Sequence, residues 1–385
     1  MSLRWAWLAV LLAYMLVPGP VSLSAARQDE EARRQLLLAP YRQCLDLLRR
    51  GQLAQAIARL DEIDEIQLGA ILGLVKGKMR AFPPGLEAAD MQAAILLHVE
   101  AARAEKLPHD RKRQLERVWE LVSAAGDRIS PGFGRDCSLL VLWSLQERFE
   151  LDDLVRQLNV ALGRFGDDAE LRLVQGSLWE LLARLQEPGL RLPLGPAVSA
   201  IVRVPTRQWA PDYDAMPVAP SRIHEKCAGL YREALGQVPP PPSPGAEETR
   251  LRLSHVLAMT GRFYEALEAL APLDAGAASS LPVELRYLEA LFRGRALLGL
   301  GRPDAAAVEY RRAASLFPTC QTPYVALSGA LRAAGDLAGA RETTASMLSV
   351  PTLSVCPSDP WVRYPEGQSW RIEGLVDRLH EAVRR

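Results

Sequence analysis

The chain has 385 residues, with Lys plus Arg and Asp plus Glu both at 46, so no net field draws it to nucleic acid, an anionic membrane or an acidic substrate. Its basic residues are nearly all arginine, which we attribute to a GC-rich genome rather than to phosphate recognition. The length exceeds the roughly 100–200 residues of one ordinary domain and means several domains or a repeat array.

The first residues have a signal-peptide layout: Arg4 as the basic flank, an uncharged apolar run over residues 5–17, and the breakers Pro18-Gly19-Pro20. The run is too short for the roughly 20 apolar residues that span a bilayer. Ser24 and Ala26 suit the −3 and −1 positions of a cleavage after Ala26, with Ser24 and Ala25 nearly as acceptable as end points. The expectation is that residues 1–26 are removed, that the protein is exported to the periplasm or secreted, and that it meets the membrane only through an uncleaved signal.

Beyond the leader, Ala, Leu, Arg and Glu recur at helical spacing and no clear alternation of β-branched residues is found, so the chain reads as all-α. Residues 90–106, 110–125, 138–149 and 151–164 form successive amphipathic stretches with short connections, the pattern of antiparallel helix hairpins. From about Pro193 to Pro244 repeated prolines exclude continuous helix, except for one predicted helix over 223–235. In this insertion Arg207, Trp209 and Tyr213 are loop candidates for binding a partner, since Arg and aromatic residues anchor interfaces. The plainer reading is that the two aromatics pin the loop to the helices. The tract from Pro239 to Pro244 reads as a stiff spacer. In the tail, Trp361, Tyr364 and Trp370 precede an amphipathic stretch over 371–384, predicted to be a capping helix with the aromatics beneath it.

One spacing recurs four times: Leu47-x3-Gly51-x4-Ala56, Leu257-x3-Gly261-x4-Ala266, Leu297-x3-Gly301-x4-Ala306 and Leu331-x3-Gly335-x4-Ala340. The glycine closes one helix in the left-handed conformation, and the alanine five residues later lets the next backbone come close. With Gly294, Tyr310, Ala313 and Pro318 in the third unit, and 34 residues from Gly301 to Gly335, the chain resembles the tetratricopeptide repeat family. The likeness is clearest over residues 247–350.

That resemblance implies a helix-turn-helix solenoid whose first helices line a groove, with an irregular Pro-rich insertion and a C-terminal capping helix. The implied organisation is a signal over 1–26, degenerate repeats over 27–192, the insertion over 193–245, repeats over 246–350 and a loop with the capping helix over 351–385. It also implies groove positions Leu251, His255, Leu291, Arg295, Val325 and Gly329 for a protein or peptide partner. The Lys and Asn code of the chaperone-tail-binding subclass is missing from them. Tyr231 reads as part of a second helix whose first helix has been replaced.

Motifs for chemistry fail on spacing. Gly73 to Met79 lacks the glycine and hydroxyl of a phosphate loop, the five histidines form no His-x3-His, and no Cys-x2-Cys or Gly-x-Ser-x-Gly occurs. No cofactor, metal or catalytic residue is therefore expected. Cys44, Cys137 and Cys227 read as buried thiols, and Cys320 with Cys356 as a candidate bridge across adjacent units. The functional expectation is an exported scaffold for protein interactions in the cell envelope. The alternative is a helical hydrolase or lyase acting on cell-wall or polysaccharide material through carboxylates that only the fold brings together.

Overall fold

The computed structural model describes residues 38–63, 74–75, 78–79, 86–105, 108–166, 168–185, 220–236, 244–274, 281–349, 359–368 and 371–384. The signal segment, the loop candidates Arg207, Trp209 and Tyr213, and Cys356 lie outside them. The described chain is helical apart from turns and one two-residue ladder, and its helices pack against their neighbours in chain order. It divides into two compact units, residues 1–130 with 380–385, and residues 131–379. No described helix is long and apolar enough to cross a membrane.

The first unit contains α1 (38–49), α2 (Leu53–Asp61), α3 (Ala88–Ala104) and α4 (Pro108–Ala125). Between α2 and α3 lies an antiparallel ladder of β1 (Leu74–Val75) and β2 (Lys78–Met79), with Leu74 opposite Met79. Two residues per strand are too few for an alternation to register in the sequence. Helix α3 is enclosed on every side from Met91 to Ala102. His98 on it bonds Gln114 of α4 at 2.8 Å, and burial lowers its pKa to about 4, so it is neutral near pH 7.

The second unit begins with α5 (Pro131–Glu147), α6 (Leu151–Phe165), α7 (Ala169–Leu185) and α8 (Pro220–Gly236). It continues with α9 (Pro244–Met259), α10 (Phe263–Asp274), α11 (Val283–Gly299) and α12 (Pro303–Leu316). The last hairpin is α13 (Thr322–Ala333) with α14 (Leu337–Ser349), followed by the single-turn α15 (Pro360–Arg363), a 3-10 turn at Tyr364–Glu366 and α16 (Ile372–Arg384). Helix α5 starts seven residues before its predicted beginning. Pro131 occupies the first helical position, where its missing N–H costs nothing, and the Gly132 and Gly134 behind it mask the helical pattern.

The hairpin turns share one set of bonds. In the turns at Gly51, Gly261, Gly301 and Gly335, φ is 74°, 78°, 70° and 86°. The next amide donates to the leucine carbonyl five residues back, at 2.9 Å from Gln52 to Leu47, 2.9 Å from Arg262 to Leu257, 3.0 Å from Arg302 to Leu297 and 2.9 Å from Asp336 to Leu331. These are the bonds that satisfy the orphan carbonyls of a helix end. A fifth such turn joins α5 to α6, where Glu150 bonds Leu145 at 2.9 Å and Phe149 takes φ 57°. It carries no glycine, so the motif search passed over it.

Two hairpins close on a ring set against a glycine. A Cβ on Gly294 of α11 would meet the Tyr310 ring of α12 at 2.5 Å, and one on Gly176 of α7 would run into the Tyr231 ring of α8. The expectation that the Tyr231 unit has lost its first helix is corrected by this contact. That helix is α7, separated from α8 in sequence by residues that include 186–219 but packed against it like any hairpin partner.

Burial alternates along the stack. First helices α5, α9 and α11 are enclosed nearly all round, whereas second helices such as α6 bury one stripe, Leu151, Leu154, Val155, Leu158 and Ala161. A first helix has its own partner on one side and neighbouring hairpins on two others. What covers the fourth side is the C-terminal segment. Helix α16 forms where a helix was expected, but Arg378 ties it to Asp136 of α5 at 2.9 Å and to Glu170 of α7 at 3.4 Å. It is anchored at the start of this unit, because the acidic partners for its arginines stand there.

The glycines give a direct test of the hairpin geometry. Gly294→Ala is expected to cost about 1–3 kcal/mol by forcing Tyr310 aside. Gly229→Ala, on α8 with open space around it, is expected to gain up to about 1 kcal/mol of helix propensity. Urea denaturation followed by circular dichroism measures both.

Candidate functional site

Four of the five first helices of the second unit present side chains to most of the length of the C-terminal segment. On α5 these are Asp136, Trp143 and Gln146; on α7, Glu170, Ser177, Glu180 and Arg184; on α9, Glu248, Arg252 and His255; on α11, Phe292. Residues 359–368 and Arg371 lie across these side chains, running from α13 back to α5.

The segment is held at its start by a carboxylate. Asp359 accepts from the Tyr287 hydroxyl at 2.9 Å, from the Thr322 hydroxyl at 2.6 Å and from the Trp361 amide at 2.8 Å, so it both docks the segment and caps α15. Next comes an aromatic cluster. Trp361 and Tyr364 stack at 5.5 Å, both meet Phe292 edge-on at 5.9 and 5.4 Å, and Arg184 lies over the Trp361 ring at 4.4 Å. His255 stacks on Phe292 at 4.7 Å and meets the edges of Trp361 and Tyr364. The main chain is then read by side chains. Arg252 donates to the carbonyls of Tyr364 at 3.2 Å and Gly367 at 3.3 Å, and the Gln146 amide donates to that of Pro365 at 3.3 Å. Arg371 ends the segment, donating to Glu170 at 2.6 Å with its guanidinium over the Trp143 ring at 5.1 Å.

Beneath the segment is a buried charge network. Arg252, 1 % exposed, binds Glu248 through Nε at 2.8 Å and Glu180 through Nη1 at 3.4 Å. A second guanidinium, that of Arg371, stands 3.9 Å from Glu248, and neutral donors engage both carboxylates: Glu180 accepts from the Tyr364 hydroxyl at 2.6 Å and the Tyr231 hydroxyl at 2.9 Å, and Glu248 from the Gln368 amide at 3.1 Å. Burial, then the Glu180 charge, pushes both phenols well above their usual pKa, so they remain donors. The His255 imidazole, 3.5 Å from Glu180, is held neutral: burial, then Arg295, Arg184, His224 and Arg252, lowers its pKa well below 6.5. The contact is therefore no ion pair. Trp143 Nε1, His255 Nδ1 and Gln368 Oε1 have no hydrogen-bond partner, and Glu248 Oε2 and Arg371 Nη1 have none but face each other as an ion pair at 3.9 Å. Each such group costs about 1–3 kcal/mol when buried.

Of the groove positions named from the sequence, His255 sits under the tail, whereas Leu251 and Leu291 are buried in the apolar cluster of α11 and its neighbours. Arg295 is exposed, as are Val325, at 59 %, and Gly329 on α13, beyond the reach of the segment. The sequence reading named Tyr231 only as a second-helix residue and Tyr364 only among the aromatics expected beneath the capping helix, and it passed over Glu180, Glu248, Arg252 and Gln368. Only Glu248 and Arg252, four apart on one helix, left a local trace, and such pairs are common on solvated faces. Cys44, Cys137 and Cys227 are buried thiols, the first pushed up to about 11 by burial. Cys320 is buried, and its candidate partner Cys356 lies outside the described residues.

Fold and site together define a class, a stack of helix hairpins whose first-helix face holds a short segment of chain. No protein-family model matches the sequence, and no curated protein matches it.

Arg252→Met is expected to lose about 3–5 kcal/mol, since it removes the guanidinium that binds Glu180 and leaves Glu248 only Arg371, at 3.9 Å, as a counter-charge; Tyr364→Phe is expected to lose about 1–3 kcal/mol. Chemical denaturation measures both. Because His255 binds a proton less readily folded than unfolded, its contribution is full above about pH 6.5 and falls as pH drops below that value. Titration of the chain from pH 8 to 5 should show stability declining in that window, with a shallower decline in His255→Gln.

Proposed function

We propose that the chain is an exported scaffold of tetratricopeptide type that holds a protein partner in the periplasm or cell envelope on the face made by its first helices. The observation that carries this reading is the segment lying across α5, α7, α9 and α11, with Arg252 and Gln146 taking up its main-chain carbonyls. Side chains that bond the backbone of a crossing segment are equipment for holding peptide. The repeat type is supported by the shared turn bonds, by Gly294 against Tyr310 and Gly176 against Tyr231, and by the 34-residue step from Gly301 to Gly335. Export is supported by Arg4, the apolar run over 5–17 and Pro18-Gly19-Pro20.

Glu180, Glu248 and His255 come together, an arrangement an acid–base enzyme uses. Here both carboxylates are engaged by Arg252, and Tyr364 and Gln368 cover them. The grouping therefore favours binding over hydrolysis or lysis of a polysaccharide.

Two measurements test the reading. Fusion of residues 1–30 to a reporter active only outside the cytoplasm should yield activity, and Arg4→Glu with Leu11→Arg should abolish it. The mature protein, crosslinked in an envelope extract, should capture a discrete partner. Capture that survives Trp361→Ala and Phe292→Ala unchanged would move the binding surface elsewhere.

A further inference from the structure

The C-terminal segment has the make-up of a ligand. It consists of a single helical turn and a 3-10 turn, too short to be stable alone, and its order comes from the groove. Its carboxylate, two aromatic rings, three carbonyls and arginine meet side chains spread over α5, α7, α9, α11 and α13. The pairing is incomplete on both sides: His255 Nδ1 on the groove and Gln368 Oε1 on the segment are buried without a hydrogen bond, and Glu248 Oε2 has only a 3.9 Å ion pair to Arg371 Nη1. A different peptide can therefore satisfy groups that the tail leaves unmet.

We infer that the first-helix face is a peptide-recognition site held closed by the chain's own tail, and that its partner presents the same pattern: an acidic residue, aromatic residues two and five positions on, a glycine and a glutamine after them, and an arginine twelve positions on from the acidic residue. This rests on the scaffold reading and adds the ligand's chemistry. Asp359 sets the register through Tyr287 and Thr322, Trp361 and Tyr364 fill the space between Arg184, His255 and Phe292, and Arg371 reaches Glu170. The close-set carbonyls of Tyr364 and Gly367 on one guanidinium require a turn after the second aromatic residue, which the glycine at φ 81° allows.

The test keeps the whole chain and cuts it after folding. A site-specific protease sequence is inserted between Leu353 and Ser354, and a fluorescein-labelled synthetic peptide of residues 357–371 serves as probe. In the uncut protein the tethered tail acts at an effective concentration of about 1 mM, so about 10 µM probe is excluded roughly a hundredfold. After cleavage, the probe in excess over protein should enter, rising roughly tenfold or more in anisotropy-detected binding. Unlabelled peptide of the same sequence should displace it, and peptide carrying W361A and Y364A should not. The inference is overturned if cut protein takes up no probe, or if it loses its helical circular dichroism as the tail leaves, since the tail is then core and not ligand. A chain that exchanges its tail yet captures no envelope partner would leave the recognition site standing and remove only the scaffold reading.

Discussion

The second unit depends on one buried guanidinium. Arg252 lies between Glu248 on its own helix and Glu180 on α7, and its remaining donors turn outward to the carbonyls of Tyr364 and Gly367. A charge taken fully out of water is costly unless every donor finds an acceptor. The two carboxylates supply acceptors from below, and the carbonyls of Tyr364 and Gly367 supply two more from above. The tail completes the set, so the groove's electrostatics and the tail's position are one arrangement.

This explains why the first helices are enclosed on all sides while the second helices show a single buried stripe. Hairpin packing, with Tyr310 against Gly294 and Tyr231 against Gly176, closes one face. Stacking of successive first helices closes two more. The last face carries charge and hydroxyl groups, which an apolar neighbour could not have covered without leaving them unpaired. A segment rich in main-chain carbonyls, amide and aromatic rings suits it. Helix α13, whose outer face the segment does not cross, keeps Val325 in solvent.

How legible this was depended on the range of the interactions. The turn at Gly301 is a local matter, because the left-handed residue, the amide after it and the leucine carbonyl which that amide bonds lie within six positions, and four such turns stood out. The turn at Phe149 has the same bonds but the wrong residue type for a motif search. The α7–α8 hairpin was hidden for another reason: Gly176 and Tyr231 are 55 positions apart, so the second helix looked orphaned. At the site, His255 was reached through the repeat register. Glu180 and Tyr364 were not, since 184 positions separate them and nothing near either one announces the other.

The sequence by itself determined that the described chain is helical, the approximate span of several of its helices, and the register of its glycine-closed hairpins. Those properties follow from propensity, periodicity and capping within a few residues. Only the tertiary structure decided that α7 serves α8, and that the C-terminal segment crosses the first-helix face to complete the shell of Arg252. Those outcomes turn on burying charge and ring surface between remote segments, where the acceptable partner is whichever group satisfies the last donor, and spacing along the chain carries no record of that.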